Sequence, residues 1–257
     1  MRSHTIEQER TVRDLRPSRN RWRSVGALVD RLDAVFERRV VSRPAAIVLV
    51  ELFAGLGWLR AGIEKLIDRD WWTGETIRSF VAEHRDDRLD WYGSFLDAVV
   101  EVIPLGVAVG VLAAEMVIAY CLLLGRRLPL AVGLGSALLL QFLFAGATNP
   151  AVFYLIFHGL LGIWAVEQLA PSTAVLAGVR WATLGCLAVM LASIPFARAA
   201  APAEAIDDPA LVASAWAGCL AVSLVGARRR IRRRYIEATT IDLRLRSAEH
   251  PTATISS

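Results

Sequence analysis

The sequence predicts an all-α integral membrane protein, and three observations predict it. Of 257 residues, 55% are hydrophobic and 21% are charged, against roughly 45–50% apolar and about 25% charged in a soluble domain. Six stretches are long and apolar enough to cross a bilayer, which takes about 20 residues per helix: 44–64, 104–124, 128–147, 150–169, 174–196 and 210–227. The charges are segregated: residues 1–43 carry eleven arginines and six acids, and residues 228–257 carry eight arginines and three acids. A soluble protein spreads its charges over every helix surface. The composition excludes a disordered chain over most of the length, and three cysteines are too few for a disulfide scaffold. The alternative, a soluble all-helical core, would have six apolar runs with nothing polar to face water.

The arm 1–43 is polar throughout, unlike a signal peptide, whose apolar run lies within roughly the first 30 residues. No cleavage is expected, and the first span acts as an uncleaved anchor. Trp22, Val25, Leu28, Val29, Leu32, Val35 and Phe36 share one face of a possible helix over 22–41. Such a helix either lies on anionic lipid or is a solvated lead-in.

The positive-inside rule sets the orientation. Arg31, Arg38, Arg39 and Arg43 precede span one, Arg126 and Arg127 fill the turn after span two, and six arginines between Arg228 and Arg234 follow span six. With six spans all three sites fall on the cytoplasmic side. The segment 65–97, with five bases against eight acids, lies outside with the uncharged 3–4 turn and the acidic 5–6 loop. Both termini are then cytoplasmic, and the tail 228–257 is a topology anchor rather than a nucleic-acid site.

The outer loop 66–99 holds Trp71, Trp72, Trp91 and Tyr92, and Ile77, Phe80 and Val81 at helical spacing. It is either an aromatic belt at the headgroups or a lid over an outward-facing pocket. Asn149 and Pro150 predict a helix start, with Asn149 as N-cap. The small residues Gly57 and Ala61, and Gly106, Gly110 and Ala114, predict close helix approach in lipid.

An ionisable group at the bilayer centre costs about 2.5–3.5 kcal/mol on insertion scales, so each needs a reason. Glu115 lies near the middle of span two and His158 near the middle of span four. Glu51 lies roughly 10 Å into span one at ~1.5 Å per residue, and Gln141 lies toward the outer part of span three. These four either form an inter-helix hydrogen-bond cluster or converge on a redox or proton site. A quinone headgroup needs donors for two carbonyls, and His158 and a protonated Glu115 can donate and pass protons. Arg60 and Glu64, four apart, are expected to pair, and Glu167 is a candidate partner for Arg180. Only His158 among the four histidines is in a span, so a bis-histidine haem is discounted. No cysteine pair, metal-ligand spacing or phosphate-cradling glycine loop is evident.

The run 51–66, ELFAGLGWLRAGIEKL, resembles the first helix of the DoxX/DoxD family, which includes the membrane subunit of thiosulfate:quinone oxidoreductases. Gly55, Trp58, Gly62 and Lys65 match that family's Gly, aromatic, Gly and Lys positions. Trp71, Trp72, Gly74 and Phe80 resemble its outer segment, and Glu115 with Leu122, Leu123, Gly125 and Arg127 its second helix. The turn 145–154, AGATNPAVFY, is similar to the DoxD-like branch. The resemblance covers about residues 44–170. Glu51 stands where the family's arginine is expected, which inverts a charge.

The resemblance implies an antiparallel four-helix DoxX-like bundle at 44–170, here followed by two additional transmembrane helices at 171–227, in the plasma (inner) membrane of a prokaryote. It implies a quinone-linked oxidoreductase subunit, with a small sulfur compound such as thiosulfate as a candidate reductant and quinone as electron acceptor. Glu115, His158 and Glu51 are the catalytic candidates. Gln141, Lys65, Trp71, Trp72 and Asn149 are the substrate-binding candidates. The expected partners are the lipid bilayer and a soluble redox protein, a second subunit or another copy of the chain, and no nucleic acid. The alternative is a non-catalytic membrane scaffold that docks a soluble redox partner. A small-molecule carrier is a third class, unsupported by any inverted repeat.

Overall fold

The computed structural model describes residues 42–85, 87, 89–199 and 204–249. The chain divides into two units, Met1–Leu49 and Val50–Ser257. The possible helix over 22–41 lies outside the described residues, as do Arg31, Arg38 and Arg39. Of the first unit, the described part is the lead into one helix, where Pro44 O accepts from the N–H groups of Ile47 and Val48.

The described residues are helical, without strands. In chain order they form α1 (Ala45–Ile67), a 3₁₀ turn (Asp70–Thr73), α2 (Glu75–Glu83), α3 (Asp90–Val102), α4 (Pro104–Leu124), α5 (Leu128–Phe144), α6 (Thr148–Glu167), α7 (Thr173–Ser193) with a 3₁₀ end (Ile194–Phe196), and α8 (Pro209–Glu249). Five are long and apolar enough to cross a membrane: α1, α4, α6, α7 with its 3₁₀ end, and α8 as far as Ile241.

The sixth expected span, 128–147, is the 17-residue α5. At ~1.5 Å per residue it is about 26 Å long, short of the ~30 Å hydrocarbon core. It stops at Phe144 because Gly146 takes a φ of +98°, a left-handed conformation that ends helices and favours glycine. The next helix begins at Thr148, so Asn149 is not the N-cap but an exposed residue of the first turn. Pro150 is accommodated there because the first N–H groups of a helix have no intrahelical acceptor to lose.

Expected and observed lengths also differ at α8. The apolar run ends near residue 227, but the helix continues through the arginines to Glu249. No Gly or Pro interrupts residues 227–249, and arginine is a good helix former. Its 41 residues make a rod of about 61 Å at ~1.5 Å per residue, about twice the hydrocarbon thickness.

Tight turns fix the packing of α4, α5 and α6. Gly125, at φ +62°, closes α4 with paired bonds: Arg126 N–H donates to Cys121 O at 2.9 Å and Gly125 N–H to Leu122 O at 3.1 Å. Three residues then lead into α5, too few for anything but an antiparallel hairpin. Each of α4 and α6 packs along α5. From Val50 onward, α1 lies against α4 and α6. A Cβ on Gly55 would come within 3.0 Å of Leu123, and one on Gly62 within 2.7 Å of Met116 Sδ. Phe53 packs edge-on against Phe153 and Phe157. Among the described residues the expected small-residue contact at Gly106 and Gly110 is absent: a Cβ on Gly110 would meet none of them within 4 Å, and one on Gly106 only Ile103 of the preceding turn.

Instead, an alanine stripe does that work on α8. Ala210, Ala213, Ala217, Ala221 and Ala227 are buried, and small side chains let backbones approach closely in lipid. α8 packs on α7 and α6, and Trp216 Nε1–H donates to Leu155 O at 2.9 Å. By contrast α7 turns most of its apolar surface outward, with Trp181 and Leu191 largely exposed. Such apolar surfaces suit contact with lipid hydrocarbon.

Candidate functional site

One face of α1 repeats at helical spacing: Gly57, Trp58, Ala61, Glu64, Lys65 and, just past its end, Asp68. All six line a cavity of about 590 Å³, within the range of about 300–1,000 Å³ of small-molecule sites. Glu115 of α4, Leu139 and Phe142 of α5, and Pro150, Ala151 and Tyr154 of α6 form other walls, with Ala147 just before α6. The outer segment contributes Trp71, Thr76, Ile77 and Phe80.

The outer segment therefore divides. Trp71 is buried, its Nε1–H donating to Ala108 O at 3.1 Å. It packs with Ile77 and Val81 on Val100 and Ala108, so this half covers the cavity. Asp68 orders the approach: Oδ1 accepts from Asp70 N–H at 3.0 Å and Oδ2 from Thr76 Oγ1–H at 2.7 Å. Trp72 and Trp91 are exposed and sit outside the lining, as belt residues would. Trp72 Nε1–H bonds to Leu66 O.

At the cavity wall Lys65 Nζ donates to Glu115 Oε1 at 2.8 Å. The lysine side chain is 21% exposed and the glutamate 1%. The ammonium also stands 5.1 Å above the Trp71 ring, an attractive cation–π placement. Glu115 Oε2 is buried and has no hydrogen-bond partner among the described residues. A buried carboxylate oxygen without a donor is costly, and it lies beside a lysine that holds three N–H donors.

His158 is in a different situation. Its Nδ1 lies 3.0 Å from Tyr154 O, and its Nε2 lies 3.3 Å from Trp58 Nε1. Indole N–H only donates, so Nε2 accepts and the proton resides on Nδ1, giving a neutral imidazole with both nitrogens engaged. The ring is fully buried and abuts Gly135, where a Cβ would collide with it. His158 thus stands behind Trp58 and is not part of the cavity wall.

Of the four intramembrane polar residues expected to converge, Glu115 alone lines the cavity. Glu51 is fully buried, but about 21 Å along α1 from Lys65 at ~1.5 Å per residue. Gln141 accepts from the Tyr92 hydroxyl; burial pushes the Tyr92 phenol up, which keeps it protonated as the donor. Asn149 is exposed and outside the lining. Of the substrate-binding candidates the cavity takes Lys65 and Trp71. Trp58 and Phe80, which carry the family resemblance but are not among the expected site residues, join the lining, and Asp68, Phe142 and Tyr154 are among the lining residues not singled out in the sequence. Trp58, Ala61, Lys65 and Asp68 recur every three or four residues, a stripe readable as one helix face.

Two ion-pair expectations have definite outcomes. Arg60 pairs with Glu64 at 2.7 Å on the surface. Glu167 pairs with Arg230 of α8, not with Arg180, and Arg234 donates to Glu167 O at 2.7 Å. The bend of the chain back onto α6 brings the arginines of α8 to the C-terminal end of α6, where exposed carbonyls and the helix dipole favour cations.

Outside the cavity, Asp208 joins the connection after α7 to α8. Its Oδ1 accepts from Ala210 and Leu211 N–H at 2.9 and 3.0 Å, and its Oδ2 from Arg198 and Ala199 N–H at 2.5 and 2.8 Å. Burial pushes its carboxyl up, but these four donors together outweigh burial and hold it below the usual carboxylate range. Asp208 precedes Pro209, the first residue of α8, as an N-cap precedes a proline at the first helical position. Comparison with protein-family models, with curated proteins and with solved structures found no match to this chain.

Proposed function

We propose that this chain is a DoxX/DoxD-like inner-membrane protein and a quinone-linked oxidoreductase subunit, with the cavity under the outer segment as its quinone site. The observation that carries the reading is Glu115: a buried carboxylate with one oxygen on Lys65 and the other unpartnered, at the wall of an aromatic cavity. The residues present fit the group. Trp58, Trp71, Phe80, Phe142 and Tyr154 offer ring faces and edges to a planar headgroup. Lys65 is a donor for a carbonyl oxygen. When bound, a quinone supplies two-electron, two-proton acceptor chemistry.

The chain's own groups do the rest. Lys65 orients an oxygen and raises the attraction for electron density there. Glu115 exchanges a proton at Oε2, out of bulk water. Trp71, Ile77 and Phe80 exclude water from above. Asp68 and Glu64 carry negative charge at the rim, Glu64 being neutralised by Arg60. With Lys65 matched to Glu115, the remaining charge is negative. A dianion such as thiosulfate is disfavoured at this position, so a sulfur reductant delivers electrons from elsewhere or through a partner subunit.

The proposed orientation places both termini in the cytoplasm and the outer segment on the far side, with α5 crossing as a short span between its two hairpin partners. The test is quinone reduction by purified protein across a panel of reductants, alone and with co-purified partners, with Glu115→Gln as control. No turnover with any reductant sinks the enzymatic reading. A second reading, a scaffold that docks a soluble redox protein, draws on α8, whose exposed arginines continue on a helix about twice as long as a bilayer core requires.

A further inference from the structure

The geometry points to a hydroxyl-bearing aromatic ring, the reduced quinol form, as the ligand that this cavity reads best. This rests on the quinone-site reading and deepens it by specifying which chemical group meets which atom.

Glu115 is a residue of the cavity wall; its Oε1 is taken by Lys65, 2.8 Å away, while Oε2 is buried and unpartnered among the described residues. Lys65 uses one N–H on Oε1, and its ammonium stands over the Trp71 ring. The pair thus presents an acceptor beside a donor. A hydroxyl satisfies both at once: its O–H donates to Glu115 Oε2 and its oxygen accepts from Lys65 Nζ. A quinone carbonyl accepts from Lys65 and leaves Oε2 orphaned. A methyl ether does the same. An anion accepts from Lys65 but meets the carboxylates of Glu115 and Asp68. The aromatic wall admits all the ring compounds alike, so the discrimination falls on the hydroxyl.

Sites built to hydrogen-bond a hydroxyl reject analogues that lack it because a buried polar group is then left unpaired. An unmet buried acceptor corresponds to roughly 10- to 100-fold in affinity.

The experiment is anaerobic titration calorimetry on the full chain in detergent micelles. The probes are a decyl-substituted benzohydroquinone, its dimethyl ether and the corresponding benzoquinone. The expected result is that the hydroquinone binds about 10- to 100-fold more tightly than either analogue. In Lys65→Met/Glu115→Leu, where both charges leave together, the three are expected to bind within about threefold of one another, since the ring wall remains. Equal binding of hydroquinone and ether to the unaltered protein overturns the inference and leaves the quinone site standing. A preference that survives in the double variant also overturns it. If none of the three ring compounds binds the unaltered protein, both the inference and the quinone-site reading fail. The comparison of probes on the unaltered protein decides the matter even if the double variant does not fold.

Discussion

Replacing Lys65 by methionine leaves the Glu115 carboxylate, 1% exposed, without its counter-ion. At 2.8 Å and an effective dielectric of about 20, the Coulomb attraction being removed is about 6 kcal/mol gross. Lysine's partial exposure and the desolvation of both groups reduce this. Breaking a buried pair by removing one partner typically costs 3–5 kcal/mol, whereas replacing both partners by apolar residues is often neutral. Lys65→Met is therefore expected to lose about 3–5 kcal/mol, and Lys65→Met/Glu115→Leu to stay within about 1 kcal/mol of the unaltered protein. Glu115→Leu alone costs less than Lys65→Met, because Lys65 is 21% exposed and can snorkel outward. The assay is a double-mutant cycle of equilibrium unfolding in mixed micelles, followed by tryptophan fluorescence. A Lys65→Met variant within about 1 kcal/mol of the unaltered protein would show instead that the two groups behave as a solvent-exposed pair.

Other predictions use different parts of the molecule. Gly135→Ala drives a Cβ into the His158 ring, breaking the Trp58 hydrogen bond at 3.3 Å; a loss of about 1–3 kcal/mol and a changed Trp58 emission are expected, and an unchanged melting temperature would contradict this. Gly57→Ala puts a Cβ against the Tyr154 hydroxyl, displacing Tyr154 into the cavity, so bound ring compounds are expected to weaken about tenfold with the fold retained. Asp208→Ala removes an N-cap and two loop contacts and is expected to cost about 1–2 kcal/mol. Because Asp208's folded value is depressed, its contribution is complete above the unfolded carboxyl value near 3.9 and fades as pH falls through the lower folded value. The difference in stability between the unaltered protein and Asp208→Ala should accordingly shrink between about pH 4 and pH 2; a difference independent of pH there would count against the capping account.

Much of this protein is legible in one dimension because lipid imposes a one-dimensional rule. Every backbone group in a membrane segment must be satisfied within its own helix, so run length and charge placement mark α1, α4, α6, α7 and the first part of α8. The segregation of arginines into the two arms, the Arg60–Glu64 pair and the cost of burying Glu115 follow from sequence alone. Helix ends are less legible. The positive φ of Gly146 stopped α5 at 17 residues, and the unbroken helix formers after residue 227 carried α8 to Glu249.

A glutamate such as Glu115 in the middle of an apolar run needs a partner whatever the fold, and the packing of the helices selects which partner it gets. Its partner is Lys65, fifty residues earlier, brought across by the packing of Gly62 against Met116. The sequence places four polar groups inside the apolar spans. Folding separated them, because His158 found Trp58 and Tyr154 O, Gln141 found Tyr92, and Glu51 lay about 21 Å down its helix at ~1.5 Å per residue. Side-chain polarity is a property of the residue, but a buried oxygen left unpartnered at a cavity wall is a property of the neighbours. Helix register and crossing, which the sequence does not state, choose those neighbours.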